Sequence, residues 1–184
     1  MMVAKYDPEF HHRRSIRLPN YDYSRSGAYF VTVCTQGRHC LFRDVVDGKV
    51  VLNSCGDIVQ ACWDDLPNHY EQVTLDAFVV MPNHVHGLIL ISDAIVVVVG
   101  AGFKPAPTKP APTRRHGLPE IVRAFKTFSS RRINELRGVS GAPVWQRNYY
   151  EHIVRHEEEL QRIRQYVHEN PFKWSEDPDN PSNL

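Results

Sequence analysis

The chain has only four cysteines, Cys34, Cys40, Cys55 and Cys62, and no two of them form a Cys-x-x-Cys pair. With no signal-peptide pattern in its opening residues Met1-Met-Val-Ala-Lys-Tyr6, disulfides are not expected and a reducing compartment is. Long apolar runs are missing as well. The longest, around Val96-Val-Val-Val99, falls far short of the ~20 residues that cross a bilayer, so no membrane partner is expected. Net charge is close to absent: 22 Lys and Arg against 21 Asp and Glu leave +1, which excludes a histone-like polycation and leaves only local patches. There is no Gly-x-x-x-x-Gly-Lys-Ser/Thr loop to cradle a nucleotide. A length of 184 residues suits one domain with a proper core, and a second independent domain is not expected.

The first 26 residues form a basic, aromatic arm, in which Arg13, Arg14, Arg17 and Arg25 alternate with Tyr21 and Tyr23. Such an arm can lie along a phosphate backbone with rings free to stack, or can be a plain solvated tail. Residues 28–35 are β-branched and aromatic and read as a buried strand, and 45–51 as a short hairpin. Asn53 or Ser54 can then cap a helix with an apolar stripe of Ile58, Val59, Cys62, Trp63 and Leu66, ended by Pro67. Residues 74–80 and 84–91 read as two strands joined by Met81-Pro-Asn83. Residues 103–116 carry a twice-repeated Lys-Pro-Ala-Pro-Thr, a stiff spacer inserted between core elements.

Leu118-Pro119 opens a second long helix whose apolar stripe is Ile121, Val122, Phe125, Phe128, Ile133 and Leu136, with Gly138 as its stop. Its other faces carry Arg123, Lys126, Arg131 and Arg132, a basic surface able to neutralise phosphates. A loop from Val144 leads into a fourth strand ending near Arg155. A last helix starts within His156-Glu-Glu-Glu159 and stops at Pro171, and residues 175–184 read as a flexible tail. The order β-α-β-β-α-β plus one helix predicts an α+β, ferredoxin-like (split βαβ) fold. That is a four-stranded antiparallel sheet with helices on one face and an additional C-terminal helix. In it the first and third strands are central.

The third strand carries His84-Val85-His86. Side chains at i and i+2 of a strand share a face, so the two imidazoles stand side by side while Val85 points into the core. That is half a metal site, or two histidines decorating a solvated sheet face. On the last helix Tyr166 and Asn170 are four residues apart and share a face, so packing beside the histidine strand would let the Asn170 oxygen complete a three-ligand site with the phenol one turn away. Read on the helix alone, they are a boundary tyrosine and a cap before proline.

Met81-Pro-Asn-His-Val-His-Gly-Leu-Ile89, Val144-Trp-Gln-Arg-Asn-Tyr-Tyr-Glu-His152 and Tyr166-Val-His-Glu-Asn-Pro171 together resemble the single-tyrosine HUH transposases, specifically the REP-associated tyrosine transposases. Ser15-Ile-Arg-Leu-Pro-Asn-Tyr-Asp-Tyr23 and Gly27-Ala-Tyr-Phe-Val-Thr-Val33 extend the resemblance over most of the chain. It implies a cytoplasmic, nucleoid-associated enzyme that cuts and rejoins single-stranded DNA beside hairpins, with no nucleotide cofactor. It also implies His84 and His86 as metal ligands with Asn170 the third, Mg²⁺ or Mn²⁺ as the metal, and Tyr166 as the nucleophile forming a 5′-phosphotyrosine link. Tyr149 and Tyr150 are rival nucleophiles, and His152 an accessory ligand or DNA contact. Imidazoles also suit zinc, so the metal is inferred from the resemblance alone. Two other classes stay open: a non-catalytic nucleic-acid-binding module on this fold, and a metal-dependent nuclease that uses water. Monomer and homodimer are both compatible with the sequence.

Overall fold

A computed structural model describes residues 18–46, 49–92, 116–177 and 180–183. In chain order the elements are β1 (Gly27–Cys34), β2 (Arg43–Val46), β3 (Lys49–Leu52), α1 (Ser54–Asp64), α2 (Leu66–His69), β4 (Val73–Val80) and β5 (His84–Ile91). They continue with α3 (Leu118–Leu136), β6 (Tyr150–Val154), α4 (Glu157–Glu169) and a 3₁₀ segment Asn170–Glu176. Four strands form an antiparallel sheet in the order β4-β5-β1-β6, with β2 and β3 as a separate hairpin. This is the α+β arrangement expected, with the histidine strand central.

The sheet is covered on both faces, and strand alternation decides what meets what. Tyr29, Val31, Val33, Val85 and Ile89 point to one side, where Val59, Trp63, Ile121 and Phe125 of α1 and α3 complete the main core. Phe30 and Leu88 point to the other, where they meet Leu160 and Val167 of α4 in a smaller cluster with Val79 and Met81. Asn53 caps α1, its side-chain oxygen accepting from the Cys55 and Gly56 amides at 3.1 Å each. Pro67, expected to end this helix, instead sits in the first turn of the short α2, where its missing N–H costs nothing. Gly138 follows α3 with φ +65°, the left-handed stop expected of it.

One expectation for the N-terminal arm changes. Tyr21 and Tyr23 do not offer free rings: Tyr21 stands edge-on to Tyr23 and to Tyr29, Tyr23 is tilted against Tyr29, and the Tyr23 hydroxyl accepts from the Leu18 amide at 3.0 Å. In the stretch from residue 175, expected to be a flexible tail, the described Asn180 donates from Nδ2 to the Trp174 carbonyl at 2.9 Å. Arg13, Arg14, Arg17 and nearly all of the 103–116 spacer lie outside the described residues.

With only Leu160 and Val167 of α4 buried, that helix needs a polar fastening. The register of β4 shifts between Leu75 and Phe78, a bulge that brings Asp76 against α4. There Arg164 Nε and Nη2 donate to the two carboxylate oxygens at 2.6–3.1 Å. These bonds hold the Asp76 carboxyl below its ordinary range, chiefly through the guanidinium. Asp76→Asn is therefore expected to lower the urea midpoint and to speed amide exchange in α4 while β1 and β5 keep their protection. Equal loss of protection in all three elements would refute a local fastening.

Candidate functional site

The central antiparallel register sets Thr32 opposite His86 and Cys34 opposite His84. Both imidazoles are nearly sealed, His84 being 1% and His86 4% exposed. Asn83, just before the strand, donates from Nδ2 to the Arg38 carbonyl at 3.2 Å, so its oxygen is left to accept. His84 Nδ1 is 2.8 Å from that oxygen and must carry the proton. The Thr32 hydroxyl, 2.8 Å from His86 Nδ1, can accept in the same way. Both Nε2 lone pairs then turn towards one point, and the two atoms are 3.0 Å apart. Two lone pairs at that distance repel unless a cation or a shared proton lies between them.

Burial drives the His84 pKa from its ordinary 6.5 down to about 4, and that of His86, with His84 adding to the effect, to about 3. The imidazoles are thus neutral near pH 7, the form that binds metal. The sign follows from linkage. As pH falls from 6.5, the unfolded chain takes up protons that the folded pair refuses, so their contribution is full above 6.5 and is lost as pH drops towards 4 and 3. In EDTA the urea midpoint is expected to decline across that window, and a His84→Gln, His86→Gln double variant to decline less. Equal slopes would show that the pair does not titrate as its burial dictates.

The last helix supplies the rest. The Tyr166 hydroxyl is 3.3 Å from His86 Nε2, and its ring meets the His86 ring at a centroid distance of 5.1 Å. The phenol is 48% exposed. Partial burial of the phenol pushes its pKa up, while a hydrogen bond with the Asn170 side chain pulls it down. Asn170 is 5% exposed, and its Oδ1 has no hydrogen-bond partner among the described residues. An orphaned carbonyl costs about 1–3 kcal/mol, so something normally meets it. Two close imidazole nitrogens, a buried amide oxygen without a partner among the described residues and hydrogen bonds to both Nδ1 atoms fit a divalent cation. His84, His86 and Asn170 would hold it. Among the described residues no group of three or more His, Cys, Asp or Glu side chains is placed to do so.

The other residues singled out by sequence lie elsewhere. Tyr150 opens β6 and Tyr149 precedes it; both border the trough beside His86, but neither is within hydrogen-bond reach of the pair. His152 Nε2 instead bonds Glu159 Oε1 at 2.8 Å. The cations of α3 do not share one face with the histidines. Arg123 reaches Glu120 at 3.7 Å, and Lys126 Nζ donates to the Gln146 and Arg147 carbonyls at 2.7 and 2.9 Å. Arg131 and Arg132 border a groove with His69 and Phe128, on the side of the sheet away from His84 and His86. Arg25 is exposed before β1. Sequence reading missed Thr32, Asn83 and Arg38. Asn83 read only as a turn former, and nothing in the sequence marks which β1 residue faces His86.

No family model matches the chain. A solved structure of a REP-associated tyrosine transposase bound to a REP hairpin shares the fold, with a TM-score of 0.53 over 85% of this chain and 73% of that one, at 15% identity. A Haemophilus influenzae protein assigned by name to the REP-associated tyrosine transposases is 26% identical over 158 residues, 85% of this chain and 77% of that protein. An uncharacterized protein of Haemophilus influenzae is 38% identical over 180 residues, 96% of this chain and 97% of its own length. At that identity and coverage, the chain belongs to the same family as this uncharacterized Haemophilus protein.

Proposed function

We propose that this protein is a transposase-like enzyme that nicks and rejoins single-stranded DNA beside hairpins. One observation carries the reading: a half-exposed phenol, Tyr166, lies 3.3 Å from a buried imidazole whose Nε2 is itself 3.0 Å from that of its neighbour. A tyrosine fixed beside a metal-type histidine pair suits covalent phosphoryl transfer better than water-based hydrolysis, which needs no phenol there. The REP hairpin held by the structural relative makes a hairpin with a single-stranded flank the natural substrate class.

Tyr166 Oη attacks the scissile phosphorus, the new O–P bond forms as the P–O3′ bond breaks, and the phenol proton leaves to the solvent that the residue half faces. The departing 3′ oxygen takes up a proton, and the 5′ phosphate remains on the tyrosine. Rejoining is the reverse, with a 3′-hydroxyl attacking the phosphotyrosine, so bond count and energy are conserved and no nucleotide is consumed. A divalent ion, Mg²⁺ or Mn²⁺, supplies charge stabilisation at the phosphate oxygens when bound. Asn170 orients the phenol through its hydrogen bond, and the Arg164 fastening keeps α4 against the sheet.

A labelled hairpin with a single-stranded flank, incubated with the protein and Mn²⁺, is expected to give a denaturation-resistant adduct whose tryptic peptide contains Tyr166. Cleavage without an adduct would establish the water-using nuclease instead. An adduct on Tyr149 or Tyr150 would move the nucleophile. Binding with neither would leave a nucleic-acid-binding module.

A further inference from the structure

Beside the histidine pair runs an open trough of about 500 Å³ whose walls include Phe30, Thr32, Arg38, Tyr150 and Tyr166. The proposed chemistry uses only Tyr166 of these. Two of the others are placed in ways that core packing does not require.

Tyr150 is the first residue of the edge strand β6, directly across from Thr32, and is 54% exposed. Its ring stands edge-on to Phe30 at 6.4 Å, and Phe30 is itself stacked against His86 at 5.5 Å. An aromatic ring is thus braced from below by the ring that braces the histidine, with its outer part open. Arg38 follows Gly37, and both have positive φ, +64° and +55°. Glycine adopts that conformation freely, whereas an arginine is held there only when the surroundings impose it. Here the Arg38 amide donates to the Thr35 carbonyl at 3.1 Å and its own carbonyl accepts from Asn83 Nδ2, the residue that fixes the His84 tautomer. The Arg38 charge contributes, behind burial, to lowering the His84 pKa, and it acts against the burial that raises that of Asp177.

We propose that this trough seats one unpaired nucleotide, with Tyr150 as the surface on which its base stacks and Arg38 as the cation that holds its phosphate. An aromatic face and a guanidinium lining one trough with His86 match a base and its own phosphate, and a base locked in a duplex cannot reach the ring. The site therefore selects single strands by itself, before any bond is broken. The proposal rests on the strand-transfer reading only for taking the ligand to be DNA.

The test is equilibrium binding in EDTA of a labelled mixed-sequence single strand and of the same sequence as a blunt duplex. Tyr150→Ala is expected to weaken single-strand binding roughly 5- to 100-fold and leave the duplex unchanged, while Tyr150→Phe retains affinity because stacking needs no hydroxyl. For Arg38, the slope of log affinity against log salt should fall by about 0.7 in Arg38→Gly and stay in Arg38→Lys. Arg38→Gly suits the left-handed backbone, so a lost fold does not confuse the result. Tyr150→Ala within twofold of wild type on single strands, or equally weak on the duplex, overturns the stacking role. A weakened Arg38→Gly with an unchanged salt slope overturns the phosphate role. Tyr150-dependent binding in EDTA with no covalent adduct after Mn²⁺ is added keeps the subsite and removes the transferase reading. An adduct formed equally well by Tyr150→Ala does the reverse.

Discussion

Tyr166→Phe is expected to abolish the covalent DNA adduct, a loss of roughly 10⁴-fold or more, while the folded protein and its grip on single strands survive. The change removes one oxygen. The ring keeps its edge-on contacts with Phe30 at 6.1 Å and with the imidazole of His86. Because the hydroxyl is bonded to His86 Nε2 and to the Asn170 side chain, its loss should cost about 1 kcal/mol of stability, too little to unfold the protein. What disappears is the only oxygen nucleophile of the described residues that lies within hydrogen-bond distance of the histidine pair from α4. Capture of DNA on denaturing gels reads the result, with binding in EDTA as the control. An adduct that forms in the phenylalanine variant at the wild-type rate would assign the chemistry to another residue.

Gly87→Ala is expected to be the most damaging single methyl group near the site, destabilising the fold by about 3 kcal/mol. A Cβ at that position would stand 2.3 Å from Trp63 Cζ2 and 3.0 Å from Phe78 Cδ2. Neither ring can simply swing away. Trp63 is 1% exposed, lies flat against Phe78 at 4.3 Å and meets Phe125 edge-on at 5.4 Å. The strand would have to lift, and since Gly87 follows His86 directly, lifting it also moves the imidazole. Urea unfolding measures the first effect and metal titration of the folded fraction the second. A cost under about 1 kcal/mol would mean that the tryptophan side of the core yields easily.

The residues that carry the proposed chemistry were unusually legible. His84 and His86 share a face because a strand repeats every two residues, and Tyr166 and Asn170 share one because a helix repeats every 3.6. These are consequences of local backbone sterics and need no knowledge of what lies opposite. The basic residues were harder to read: Lys126 and Arg132 look like surface cations in sequence. In the structure one is tied to the Gln146 and Arg147 carbonyls and the other donates to the Cys62 sulfur at 3.5 Å. Charge on a helix shows that a face is polar, but not which neighbour will satisfy it.

The sequence alone determined the order of elements, the pairing of two imidazoles on one side of a strand and a tyrosine one turn from an asparagine, since each depends on residues near one another in the chain. Tertiary structure decided that α4 lies on the histidine side of the sheet, with Asp76 fastening it across a bulge. It also decided that Thr32 and Asn83 fix the rings, that Gly87 must lack a side chain for Trp63, and that Arg38 turns left-handed beside the trough. All of these depend on contacts between segments far apart in sequence, and register and packing angle, which create those contacts, are set by the assembled core and not by any local pattern.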